Sequence, residues 1–78
     1  MVVGVENTSP RTFHVASLDF YQDLALSNAR RRDYTMPANE FASRFGTNAI
    51  SGYSTVVAGI CWRWDRPREH FSLEMDLQ

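Results

Sequence analysis

Large apolar residues alternate with charged or polar ones through the last third of the chain, from Ile60 to Met75. Ile60, Trp62 and Trp64 fall on one parity, and beyond Pro67 Phe71, Leu73 and Met75 again share one. Successive side chains of a strand point to opposite faces, so the pattern predicts an antiparallel hairpin with one apolar face and one arginine-bearing face. Asp65-Arg66-Pro67-Arg68 makes its turn and residues 69–77 its second strand. Its first strand, residues 53–64, has two readings. The β-branched and aromatic content suits a strand, with Gly59 marking a bulge. A helix capped by Ser54 would have to hold Thr55, Val56, Val57 and an internal Gly59, a poor composition for one. The strand is favoured.

Earlier in the chain the period changes. Residues 2–6 form a short β-branched run, and residues 12–16 alternate with Phe13 and Val15 on one parity; the turn formers Asn7, Thr8, Ser9 and Pro10 lie between them. From Ser17, a good N-cap, Leu18, Tyr21, Leu24 and Ala25 recur at helical spacing. Asp19 in the first turn and Arg30, Arg31 and Arg32 in the last would suit the helix dipole, so a helix is expected over residues 17–31. Pro37 suits the start of a second helix over 37–45, with Phe41, Ala42 and Phe45 on its buried stripe and Gly46 just past its end. Residues 47–52 read as a loop. These elements predict an α+β fold: one compact domain, residues 1–78, with a small antiparallel sheet and two helices on one face. The first helix would lay Tyr21, Leu24 and Ala25 on Trp62, Trp64, Phe71 and Leu73.

With 78 residues, folding buries roughly 60–65% of the unfolded surface, an adequate but not generous core. The single cysteine, Cys61, excludes an internal disulfide and suits a reducing, cytoplasmic setting. The start of the chain lacks the basic and apolar regions of a secretory signal, so the sequon Asn7-Thr8-Ser9 is given no weight. Phe45 to Trp62 is uncharged, but its three glycines and five Ser, Thr or Asn residues make it too polar for a spanning helix.

Charge sharpens the picture. Every basic residue is an arginine, and the net charge of −1 is unevenly spread. Residues 1–29 carry −2, residues 30–68 carry +4 and residues 69–78 carry −3. The central excess falls on Arg30, Arg31 and Arg32, and on Arg63, Arg66 and Arg68 at the hairpin tip. Planar bidentate contacts to carboxylate or phosphate favour arginine over lysine. These six are the candidate binding residues. On a helix the triple arginine would spread round most of the circumference and cap the C-terminus, so its three members could not all address one ligand.

Phe41-Ala42 followed by Phe45-Gly46, then Ser54-Thr55-Val56-Val57 and a terminal hairpin, resembles a winged helix-turn-helix domain over residues 37–77. That resemblance implies a recognition helix starting near Ser54, a wing at the hairpin, and DNA-binding transcriptional regulation. The segment after Gly46 is longer than the compact motif allows, and no basic residue precedes Arg63 in the second helix.

Catalytic chemistry has little to stand on. Cys61 would need a base from His14 or His70, and neither has a diagnostic spacing. The same three residues lack the paired spacing of zinc ligands, and no glycine-rich phosphate loop occurs. The expectation is a non-enzymatic protein without cofactor or metal, monomeric or homodimeric and not membrane-bound. It would bind a larger protein or nucleoprotein complex stoichiometrically, as phage- or plasmid-type inhibitors and adaptors do, with direct nucleic-acid contact open.

Overall fold

The computed structural model describes residues 1–23, 29–61 and 71–78, with Phe71 described through its backbone alone. Six strands and one helix follow in order: β1 (Val2–Glu6), β2 (Phe13–Asp23), β3 (Arg30–Pro37), α1 (Ala38–Phe45), β4 (Ala49–Ile50), β5 (Thr55–Gly59) and β6 (Phe71–Leu77). β1 and β5 form a two-stranded antiparallel sheet, and β3, β4 and β6 all pair antiparallel with β2. The fold is mostly β, with one helix among the described residues, and this corrects the expected α+β architecture with two helices.

Of the expected helix over 17–31, residues 17–23 and 30–31 are instead parts of β2 and β3, paired from Ser17↔Pro37 to Asp23↔Arg30, and Leu24 and Ala25 lie outside the described residues. A β-bulge sets which face each residue of β2 takes. Between the pairs Val15↔Leu77 and Ser17↔Asp76 the register shifts, which leaves Ala16 as an extra residue. One extra residue reverses the parity of everything after it. Val15 before the bulge and Leu18, Phe20 and Gln22 after it are therefore all buried on one face. The helical step from Leu18 to Tyr21 joins residues on opposite faces of β2, which draws its stability from partners on both edges.

Those edges can be told apart by hydrogen bonds. The Val15 N–H donates to the Asn48 carbonyl, whereas the His14 carbonyl accepts from the Gln78 N–H. Adjacent residues of a strand direct these groups to opposite sides, so β4 and β6 flank β2 on different edges. β3 and β6 pair with the same residues of β2, so β3 takes the β4 side farther along.

The terminal hairpin is also corrected. Residues 55–59 are extended, as favoured, but β5 pairs with β1, from Val2↔Gly59 to Glu6↔Thr55. β6 pairs with β2, so the two strands belong to different sheets. The turn 65–68, with Trp62, Trp64, Arg63, Arg66 and Arg68, lies outside the described residues. The extended β5 occupies the place of the recognition helix, which removes the winged helix-turn-helix alternative.

The second helix is where the sequence put it. Pro37 stands at its N-cap with φ −73°, and Gly46 ends it in the left-handed conformation at φ 89°. Phe41 and Phe45 lie one turn apart with rings stacked 4.1 Å between centroids. They join Val3, Val15, Leu18, Phe20, Met36, Ile50, Ala58 and Ile60 in one core, into which both sheets and the helix contribute. No helix of the described residues is long and apolar enough to cross a membrane.

A polar hub fixes the end of the molecule where the two sheets meet. Asn7 is buried, at 5% exposure. Its Nδ2 lies 2.6, 3.0 and 3.2 Å from the carbonyl oxygens of Arg11, Ile50 and Ser51. Its Oδ1 accepts from the Ser9 N–H at 3.0 Å and the Ser9 hydroxyl at 2.8 Å. Nearby, a Cβ on Gly52 would stand 2.6 Å from the Pro10 carbonyl carbon, so only glycine lets these two loops touch. The residues that matched a glycosylation sequon serve as a structural clamp.

Candidate binding surface

The face of the β3-β2-β6 sheet opposite the core is polar from edge to edge. With the bulge at Ala16, Ser17, Asp19, Tyr21 and Asp23 of β2 share it. β6 adds Ser72, Glu74 and Asp76, which stand opposite Tyr21, Asp19 and Ser17. On β3 a second register shift leaves Asp33 unpaired with β2, and Arg32 and Arg30 then stand opposite Tyr21 and Asp23.

This placement changes what the triple arginine can do. In a strand, Arg30 and Arg32 share a face and Arg31 takes the other. The Arg30 guanidinium carbon lies 3.9 Å from the Tyr21 ring centroid and that of Arg32 5.7 Å away. Arg32 also donates through Nε and Nη2 to the Tyr21 hydroxyl at 3.4 and 3.3 Å. Arg30 reaches across Tyr21 to Glu74, with Nη1 3.2 Å from Oε1. Hydrogen bonding raises both guanidinium pKa values, Arg30 mainly through Glu74 and Arg32 mainly through Tyr21. Both side chains thus stay charged at any pH the fold survives.

Arg31 points the other way. Its Nη2 donates to Gln22 Oε1 at 2.6 Å and its Nε pairs with Asp33 Oδ1 at 2.9 Å. The structure therefore brings two of the six candidate arginines together around an aromatic ring and turns the third towards the opposite face. Arg63, Arg66 and Arg68 lie outside the described residues.

No family model matches the chain, and neither a curated protein nor a solved structure does.

The sheet face opposite the core carries a pair of stripes. Arg30 and Arg32 form a basic stripe on β3, and Glu74 and Asp76 form an acidic one on β6. Asp19, 5% exposed, sits between them, and its Oδ1 accepts no hydrogen bond from the described residues. An anion meeting Arg30 and Arg32 would find two guanidinium planes already held near one ring, with side-chain entropy partly spent in advance. Tyr21 was missed by the sequence reading, which buried it on a helix. The alternation Tyr21–Asp23 and Arg30–Arg32 across a strand pair was the signal that could have found it.

The other face holds a pocket of about 400 Å³ between β3, α1 and the segment after β5, lined by Phe20, Asp33, Tyr34, Met36, Glu40, Arg44, Ile60 and Cys61. Glu40 accepts the Tyr34 hydroxyl hydrogen bond and pairs with Arg44 at 3.3 Å. The bond to Glu40 raises the Tyr34 pKa. Cys61 is exposed at the rim. His14 is exposed on β2, and no three His, Cys, Asp or Glu residues among those described are grouped to hold a metal ion.

Proposed function

We propose that the chain is a non-enzymatic binding protein that attaches stoichiometrically to a larger protein or nucleoprotein complex, in the manner of a phage- or plasmid-type inhibitor or adaptor acting in the cytoplasm. The observation that supports this most is the Arg30–Tyr21–Arg32 cluster on an open sheet face. Arginine and tyrosine are the residue types that most often anchor interfaces. Here they are preassembled on strands, which hold position better than loops do.

The contacts would fall to Arg30 and Arg32, with Arg31 at the same strand end. Arg63, Arg66 and Arg68 join them on sequence grounds. A carboxylate cluster or a phosphate group suits the two guanidinium planes equally. The acidic stripe of β6 then gives the face a direction, because a partner must match both signs to dock.

The test compares recovery of a one-to-one partner from the native host by the wild type and by Arg30→Gln/Arg32→Gln. Glutamine removes the charge and keeps the strand. Loss of the partner with an unchanged far-ultraviolet spectrum supports the arginine face. Equal recovery by the double variant overturns it. If the recovered partner is nucleic acid, the slope of log affinity against log salt should shallow by about one for each phosphate contact removed.

A further inference from the structure

Among the described residues β6 is an edge strand, with one edge that no described strand pairs. The Gln78 N–H bonds to His14 on β2, so by alternation residues 72, 74 and 76 direct their backbone groups at β2. Leu73, Met75 and Leu77 then direct theirs away from it, and no described strand pairs with that side. Natural sheets guard such edges with bulges, prolines or long basic side chains. β3 has all three: the irregularity at Asp33, Pro37 at its end and Arg30 to Arg32 along it. β6, with the sequence Phe-Ser-Leu-Glu-Met-Asp-Leu, has none.

The side chains say what could lie there. Glu74 and Asp76 project from the outer face, and Met75 and Leu77 stay 38% and 44% exposed beside the core. A second copy pairing β6 with β6 about a two-fold axis would set Glu74 and Asp76 against their own kind, and like charges opposite each other are destabilising. A strand of opposite character fits. Its basic residues would meet Glu74 and Asp76 on one face, and its apolar residues would cover Met75 and Leu77 on the other.

We propose that the β6 edge from Leu73 to Leu77 is a strand-addition site for an extended segment of another protein that alternates basic and apolar residues. Backbone hydrogen bonds supply the affinity, and the alternation supplies the selectivity. This site shares Glu74 with the arginine face through its ion pair with Arg30, but its backbone edge belongs to β6 alone.

The probe is a capped heptapeptide, Arg-Val-Arg-Val-Arg-Val-Arg, titrated into isotope-labelled full-length protein. Saturable binding with amide shifts centred on Leu73, Met75 and Leu77 is expected. Met75→Pro deletes an outward N–H and leaves the bonds to β2 in place, so it should weaken binding about tenfold or more. Asp76→Lys should weaken it as well. A peptide N-methylated at alternate positions should fail to bind, which tests the edge even if the proline variant does not fold. Arg30→Gln, which frees Glu74 from its ion pair, should bind the peptide at least as tightly as the wild type, and weaker binding overturns the role of Glu74. Equal binding of Met75→Pro or of the N-methylated peptide overturns the proposal in favour of plain charge attraction. Equal binding of a Glu-Val counterpart overturns the basic character of the partner. A dimer in sedimentation that dissociates on Met75→Pro shows a second copy instead.

Discussion

Two clusters of polar side chains lie at different places in this molecule and do opposite things. Around Asn7 a buried amide satisfies carbonyls from two separate loops, and every contact is with backbone or with Ser9. Around Tyr21 the guanidinium groups of Arg30 and Arg32 make contacts of similar length while standing in solvent. The bonds look alike on paper, but what they replace differs. Removing one partner of a buried bond strands the other without water, whereas an exposed pair merely exchanges its bond for hydration. The Asn7 cluster holds the fold together, and the arginine cluster is free to be committed to a partner.

That contrast is open to attack from the buried side first. Asn7→Asp would aim a carboxylate at three carbonyl oxygens, and an uncompensated buried charge should cost about 3–5 kcal/mol in urea denaturation near neutral pH. Asn7→Ala strands the same carbonyls without adding charge, and about 2–3 kcal/mol is expected from the same titration. If either variant melts like the wild type, the hub does not carry the load assigned to it. Gly52→Ala, which forces a methyl group against the Pro10 carbonyl, should cost about 1–3 kcal/mol and shift amide resonances in both loops. Gly46→Ala forces an alanine into the left-handed conformation after α1, for about 1 kcal/mol.

The exposed side should yield almost nothing in stability. Arg30→Gln is expected to leave the melting temperature where it was, and a clear drop would show that the outer face is structural after all. Tyr34 gives a still smaller effect, legible only through pH. Its folded pKa is raised above the ordinary value of 10.0 by the bond to Glu40. The unfolded chain therefore loses this proton first, so the contribution is complete below pH 10 and fades as pH rises through the folded value. A thermal series across that window should show a decline in the wild type that is shallower in Tyr34→Phe.

The sequence made some of this visible and hid the rest for identifiable reasons. β1, α1 with its Pro37 start and Gly46 stop, and the extended state of residues 55–59 all follow local rules, and there propensity and packing agree. β2 misled because Leu18 and Tyr21 stand a helical step apart although they lie on opposite faces of the strand, and Ser17, Asp19 and the arginines happen to suit helix ends. The partner strands of β5 and β6 could not be read from alternation, which fixes which side chains share a face but not which strand lies alongside. For the site, the arginines stood out by composition. Tyr21 did not, because its role depends on the pairing of β2 with β3.

The bulge at Ala16 also says something about how this chain can vary. Removing that one codon would bring Val15 and Leu18 to a spacing of two, the ordinary strand period, so Leu18 and Phe20 would stay on the core side and only the bulge would vanish. Replacing the residue keeps the count and so keeps the faces. Along β2 the faces are set by the register with β6, which takes a step of two as a plain strand and a step of three as a bulge. The bulge is thus a place where β2 absorbs one residue without exchanging its faces.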